Sequence, residues 1–454
     1  MSWTGKILRV DLNAGTCVSE PLRSDWAALY LGQRGLATKY ICEEVDPAVD
    51  PLDPANKLIF ATGPLTGTMS ATGGRYSVVT KGALTGAIAC SNSGGKFGAA
   101  FKRAGWDMII VEGRAKAPVY LLIEDGDAAL LPANDLWGTS VWDCEAAIRA
   151  RHQDPQLKIA SIGRAGECGV RYACVINDHD RAAGRSGVGA VMGAKRLKAI
   201  AVRGTQGVAV HDPKAFMAAI KAARAKLDPN PNRKRLGDVG THAMLDVINA
   251  FGGLPTRNNR DVVFEGVHKI NAAAVKVPRS GDGRPNLVAT KACFACTIAC
   301  GRVATIDPDH FTVAGGTDYK HPSGGLEFES AYALGSMVGV DDLDAVTYAN
   351  FVCNEQGMDT ISFGATLSAA MELYETGAIG DDETGGVALT FGSAEALAAM
   401  VQLTAKGEGF GVDLGLGAKR LCEKYGHPEF FIGVKGQQFA GYDGPALPRI
   451  ALPP

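Results

Sequence analysis

The sequence predicts an α+β protein, with a β-rich domain over residues 1–207 followed by a mainly α-helical domain over residues 208–430. Three observations lead there. Short runs of alternating apolar and polar residues, separated by glycine-containing turns, fill the first half. Alanine-rich stretches with helical spacing, several of them stopping at glycine, fill the second. The length of 454 residues exceeds what one hydrophobic core ordinarily serves.

Taken in order, "KILRVDL" alternates with period two and "NAG" supplies the turn that follows. "RYSVVTKG" and "DMIIVEG" read as further strands, and "PVYLLIEDGDAALLPA" as a pair folding back at Asp125-Gly126. Helical patterns interrupt them at "GGKFGAAFKRAGWD" and at "VWDCEAAIRARH" (141–152). "GRSGVGAVMGAKRLKAIAVRG" closes this half with a glycine-rich turn or short helix and a strand. The character changes at "HDPKAFMAAIKAARAKL", where Asp212 precedes a first-turn proline, the arrangement of a capped helix start. Helices then dominate: "GGLEFESAYALGSMVG", "DLDAVTYANFVCNEQG", "ATLSAAMELYETG", "SAEALAAMVQLTAKGEG" and "GLGAKRLCEKYG". No repeat of fixed period is visible.

Composition narrows the function. A content of 46% hydrophobic and 21% charged residues is that of a globular soluble protein. A net charge of −2, with no basic block, offers no general attraction to nucleic acid or an anionic membrane. No run approaches the apolar length that spans a bilayer, and the alternating start differs from a signal peptide. Eleven cysteines, an odd number and mostly scattered, disfavour a disulfide framework and point to a reducing cytoplasm.

Within "KACFACTIACGR", Cys293, Cys296 and Cys300 stand in the order C-x2-C-x3-C. On a helix these positions share one arc, so small apolar side chains packed on a buried face are one reading. As ligands, thiolates bind zinc or an iron–sulfur cluster. Zinc sites usually repeat the paired cysteines, and no second C-x-x-C pair occurs. Three close cysteines with one remote partner is a recurring way to hold a [4Fe–4S] cube, which Phe294, Ala295, Ile298 and Ala299 would shield from solvent. Radical S-adenosylmethionine enzymes show the reverse order, C-x3-C-x2-C.

Other stretches are ambiguous alone. "GGRYSVVTKGALTGAIACSNSGGKFG" (73–98) has seven glycines, Arg75 and Lys81, and reads either as tight sheet turns or as an anion cradle at a helix start. "DRAAGRSGVGAVMG" carries a G-x-G-x-x-x-G run with the wrong spacing for a dinucleotide fingerprint. Its Arg181 and Arg185, four apart, would face an anion from one helical face or form a solvated basic face. Glu327 and Glu329 in "GGLEFES", and Asn354 and Asp359 in "CNEQGMDTISFG", are unremarkable by themselves. The eight histidines are dispersed, and His179 in "NDHDR" reads as a surface turn.

In order, "TGKILRVDL", "ATGPLTGT", "GGRYSVVTKGALTGAIACSNSGG", "KRAGWDMIIVEG", "DRAAGRSGVGAVMGAKRLKAIAVRG", "CFACTIAC" and "GMDTISFGAT" resemble the large subunit of the tungsten-containing aldehyde:ferredoxin oxidoreductase family. The likeness runs from residue 3 to about 443. It implies a β-rich tungstopterin-binding first domain and an enzyme oxidising aldehydes to carboxylic acids at a bis-pterin tungsten centre, with molybdenum as the alternative metal. Electrons would pass through a [4Fe–4S] cluster to ferredoxin or a small Fe–S subunit. Arg75, Asn92, Gly94 and Gly95 would contact the pterin and its phosphates, as would Arg181, Ala182 and Arg185. Asn354, Met358 and Asp359 fall on the family's D-x-x-G-L-[CD] pterin motif. Cys293, Cys296 and Cys300 would hold the cluster, and Glu329 matches the acid beside the metal. Mg2+ bridging pterin phosphates, a cytoplasmic setting and an oligomer complete the expectations.

Three departures stand out. Asn354 replaces the motif's first Asp and brings no charge. No E-x-x-H iron site accompanies "TYANF". The family continues through a third domain that carries the fourth cluster cysteine, whereas "GYDGPALPRIALPP" ends the chain. This predicts that residues 431–454 are the remnant of that domain's start and that the C-terminal third is lacking. Cys168, Cys174 and Cys353 lie near pterin segments without matching the fourth ligand. Two other readings stay open: an inactive Fe–S and pterin-binding remnant, and a relative that reduces an aromatic acyl-thioester.

Overall fold

The computed structural model describes residues 2–316 and 318–447. The chain packs as two compact units. The first runs to Arg233 and takes in Ala292–Thr297 and Glu355–Gly357. The second comprises Lys234–Lys291, Ile298–Asn354 and the described chain from Met358. Compared with the sequence reading, the first unit continues past residue 207 and recovers two short segments from far along the chain. The end of the chain from Pro448, part of the expected third-domain remnant, lies outside the described residues.

Two six-stranded sheets form the first unit. One contains β1 (Lys6–Asp11), β2 (Thr16–Pro21), β3 (Leu58–Thr62), β4 (Tyr76–Lys81), β5 (Ile88–Ser93) and β6 (Met108–Glu112). The other contains β7 (Val119–Glu124), β8 (Asp127–Pro132), β9 (Lys158–Ser161), β10 (Val175–Asn177), β11 (Arg181–Ala183) and β12 (Leu197–Arg203). Their strand orders are β2-β1-β6-β3-β4-β5 and β8-β7-β12-β9-β10-β11. Adding six to each label of the first sheet gives the second. Pairing directions match too: only β1 with β6, and β7 with β12, run parallel. The unit is therefore a structural duplication. No fixed sequence period reveals it, because the offset between equivalent strands shrinks from Lys6/Val119 to Met108/Leu197.

Each sheet buries one face under helices. Against the first lie α1 (Ser24–Tyr30) and α2 (Gln33–Glu44), which join β2 to β3. Leu36, Tyr40 and Ile41 pack there on Ile7, Ile59, Val79 and Ile110. In the second sheet the same connection, β8 to β9, carries α4 (Val141–His152), whose Cys144 and Ile148 pack on Tyr120, Ile159 and Ala199. Full burial of one such aliphatic or aromatic side chain contributes about 1.5–3 kcal/mol. Ser140 caps the start of α4 through the Asp143 N–H. The turn at Asp125-Gly126 forms as predicted, with both residues at positive φ. Between β5 and β6 stands α3 (Phe97–Arg103), and the equivalent link from β11 to β12 carries the helix Val188–Ala194.

The second unit is mainly helical, and the α+β class holds. Its helix Thr360–Glu375 is buried along nearly its whole length, from Ile361 to Leu373. Phe328–Leu334, Ala394–Lys406 and Ala418–Lys424 are further helices, and Gly407 ends the second of these in the left-handed conformation. A three-stranded sheet of Leu287–Lys291, Gly301–Ala304 and Ser323–Gly324 completes it. Among the described residues no helix is long and apolar enough to cross a membrane.

Candidate cofactor-binding site

The duplication brings the two glycine-rich stretches to equivalent places. One turn follows β5 and leads into α3; the other follows β11 and leads into Val188–Ala194. They also touch. The Arg185 N–H donates to Ser91 Oγ at 3.0 Å, and the Leu84 N–H to the Ser186 carbonyl at 3.3 Å. Arg181 and Ala182 lie in β11 and Arg185 in the loop beyond it, so the two arginines do not share a helical face. The Arg181 Nε faces Asp180 Oδ1 at 3.8 Å.

Around the first turn, Arg75 donates to the side-chain carbonyl of Asn92, and Asn92 Nδ2 donates to the Tyr76 carbonyl at 2.9 Å. Arg75 is exposed and lines a cleft of about 350 Å³ with Gln33, Pro64, Thr66, Thr72 and Gly73. No carboxylate among the described residues neutralises it, which suits an anionic ligand group. Gly95 adopts φ +83°, and a Cβ there would overlap the side chains of Asn177 and Asp178. Gly94 is bare for another reason: a Cβ would stand 2.8 Å from Cys293 Sγ.

Asn177 organises this turn, and sequence reasoning passed over it. Fully buried, it donates from Nδ2 to the Gly94 carbonyl at 3.0 Å and to Asp178 Oδ2 at 2.7 Å. Its Oδ1 accepts from Tyr76 Oη at 2.9 Å and Ser93 Oγ at 2.7 Å. Burial pushes the Tyr76 hydroxyl well above its ordinary range. Asp178 Oδ2 accepts the Lys96 N–H at 2.7 Å, so a resident carboxylate already takes this amide at the helix start. The adjacent Asn-Asp pair in "NDHDR" was the available signal, since such residues order backbone turns.

His179 sits exposed in the same turn, as the sequence reading has it, and also makes specific contacts. Its carbonyl accepts from Trp142 Nε1 at 3.0 Å, and its Nε2 lies 3.1 Å from the fully buried Glu145, which also meets Arg149 at 3.1 Å. The hydrogen bond to Glu145 raises the His179 pKa against the opposing effect of burial.

The cysteine trio occupies a loop closed at its base by the pairing of Lys291 with Gly301. The loop is not helical, and Ala295 and Ala299, each just before a cysteine, adopt φ near +55° (54° and 55°). All three thiols are half-buried, which removes the packed-helix alternative. No disulfide is found among the described residues. Among the described residues no three His, Cys, Asp or Glu side chains are gathered for a single metal ion. A cubane asks for something different, one thiolate for each of its irons. Soft, half-exposed thiols on a non-helical loop, the first resting on a bare glycine, fit that donor set.

In the second unit, Asn354 is half-buried near the end of the helix Leu343–Gln356, while Met358 and Asp359 are buried. Asp359 caps Thr360–Glu375: Oδ1 accepts the Ile361 N–H at 3.1 Å and Oδ2 the Ser362 hydroxyl at 2.7 Å. Glu329, half-buried in Phe328–Leu334, accepts the Gly441 N–H at 2.9 Å. Burial, with Glu329 nearby, raises the Tyr442 pKa. Glu327 has a different task. It pairs with the buried Arg302 and accepts from Thr241. His242 beside Thr241 is wholly buried, and burial lowers its pKa to about 4.

A duplicated sheet unit presents two glycine-rich turns, with a thiol loop against one of them. The chain matches the aldehyde ferredoxin oxidoreductase N-terminal domain over residues 7–204 and that family's domains 2 and 3 over residues 218–453. It belongs to the aldehyde ferredoxin oxidoreductase family, a family of enzymes. It is 46% identical over 443 residues to a "tungsten-containing aldehyde ferredoxin oxidoreductase" of Pyrococcus abyssi, a match covering 97% of this chain and 70% of that one. A Pyrococcus horikoshii protein of the same name is 45% identical with the same coverage. Among solved structures it resembles the "active site complex BamBC of Benzoyl Coenzyme A reductase", with a TM-score of 0.83 at 25% identity. That likeness covers 96% of this chain and 66% of the other.

Proposed function

We propose that this protein oxidises aldehydes to carboxylic acids at a tungsten centre held by two pterins and passes the electrons through a [4Fe–4S] cluster to ferredoxin or a small Fe–S subunit. The observation that carries the two-pterin reading is the duplication: equivalent sheets offer equivalent glycine-rich turns, one for each pterin. When bound, the tungstopterin supplies the two-electron oxidation and the cluster supplies one-electron transfer.

The chain's own residues bind, orient and handle protons. Arg75 would meet an anionic pterin phosphate with a guanidinium free of carboxylates, and Arg181 and Arg185 would serve the second turn. Gly94 and Gly95 would contribute to the pterin contacts from a turn that Asn177 and Asp178 fix from behind. Asn92, Ala182, Asn354, Met358 and Asp359 would complete the pterin contacts, and Mg2+ would offset phosphate charge there. Cys293, Cys296 and Cys300 would each take one iron. Converting an aldehyde and water to an acid releases two electrons and two protons, and Glu329 is the carboxylate proposed to take a proton. The relatives at 43–46% identity carry an aldehyde activity in their names, which favours it over the benzoyl coenzyme A reduction in the structural neighbour's name.

Metal analysis of protein prepared without oxygen, joined to an aldehyde-dependent dye-reduction assay, tests the reading. The expected result is about one tungsten and about four irons per chain. Absence of tungsten and molybdenum from active protein would overturn it.

A further inference from the structure

Phe294, the residue after the first thiol of the trio, is held by the first unit's glycine turns. Its N–H donates to the Gly95 carbonyl at 3.0 Å. A Cβ at Gly74 would stand 3.0 Å from the Phe294 Cβ. The Arg103 guanidinium lies over the ring, 5.0 Å from its centroid.

Arg103 ends α3 and is half-buried. Its Nε is buried and has no hydrogen-bond partner among the described residues, and no described carboxylate forms an ion pair with it. The neighbouring Lys102 makes the contrast, being fully buried but paired with Asp107. The buried Nε is withdrawn from water while the residue as a whole stays half-buried, and the cation–π contact adds about 0.5–2 kcal/mol. The fold thus maintains an uncompensated positive charge on the side chain adjoining Cys293.

We propose that Arg103, seated on Phe294, is a positioning residue that also tunes the cluster, its fixed charge favouring the reduced state. The inference rests on the cluster assignment made above. A cluster ligated by thiolates is anionic and gains one more negative charge on reduction. A cation held nearby therefore raises the reduction potential, by an amount that solvent at the half-buried guanidinium reduces. Arg103 touches no reacting atom, and its effect travels through charge and through the placement of the Cys293–Phe294 loop.

The test compares wild type, R103K and R103M as full chains purified without oxygen. Iron and sulfide content are measured together with an EPR-monitored redox titration. At the wild-type midpoint, R103M is expected to show a reduced-to-oxidised ratio about tenfold lower, a fall of about 59 mV for one electron. R103K is expected to stay within about twofold of wild type. Lost iron with an unchanged midpoint for the remaining cluster would mean a purely structural role and would overturn the proposal. So would an R103K shift as large as that of R103M. Should R103M fail to fold, R103Q is judged by the same criteria. A wild-type chain without a cluster brings down the assignment itself, whereas a loaded wild type with unshifted variants sinks only the role of Arg103.

Discussion

In the first unit, two of the residues proposed to meet cofactor, Gly94 and Gly95, are backbone stripped of side chains and backed by Asn177 and Asp178. In the second unit Glu329 stands on a helix and Asp359 at the start of one, and both side chains have structural partners. Asp359 closes the start of Thr360–Glu375, and Glu329 holds the Gly441 amide. The difference is one of tolerance. A turn shaped by missing atoms fails when a methyl group is added, because its neighbours are backbone and short polar groups with nowhere to go. A helix start fails only to the extent that one cap is lost.

Gly95→Ala should therefore produce the largest effect. The new methyl group would meet Asp178 and Asn177 and strain a residue held at φ +83°. Displacing Asp178 frees the Lys96 amide, and shifting Asn177 strands Tyr76 Oη, Ser93 Oγ and the Gly94 carbonyl. One strained position costs about 1–3 kcal/mol and each buried unpaired group about 1–3 kcal/mol, so a total above about 3 kcal/mol is expected. Urea unfolding read by tryptophan fluorescence measures it. A loss below about 1 kcal/mol would show that the turn gives way and would end the contrast.

The same contrast marks what the sequence could tell. The helix at 141–152, the turn at Asp125-Gly126 and the Asp212 cap were legible because their determinants are local. The sheet duplication was not. β9 to β11 are only three or four residues long, and strand order is a property of distant pairings. Cysteine spacing indicated a ligand set but not its loop, since nothing local announces Ala295 and Ala299 in the left-handed region. Gly94 and Cys293 lie far apart along the chain. That the glycine makes room for the thiol is visible only once both are placed.

Asp359→Ala tests the second unit's side. Loss of the bonds to the Ile361 N–H and the Ser362 hydroxyl should cost about 1–2 kcal/mol, clearly less than Gly95→Ala. Asp359→Ser keeps a capping hydroxyl and should recover most of that loss in the same urea titration. If tungsten content nevertheless falls in the serine variant, Asp359 serves cofactor as well as helix. A serine variant as unstable as the alanine one would deny the cap its importance.

The smallest effect concerns the support behind the first unit's turn. His179 has its folded pKa raised, chiefly by the hydrogen bond to Glu145. The charged pair is therefore worth most below about pH 6.5, where the unfolded chain also holds the proton. Its contribution disappears as pH climbs through the raised folded value. Because the His179 side chain is 50% exposed, solvent screening limits the gain to about 1 kcal/mol or less. His179→Gln should accordingly lower the urea midpoint near pH 6 and leave it almost unchanged near pH 9. An equal loss at both values would show that the ring supports the turn by packing against Trp142, and not by its charge.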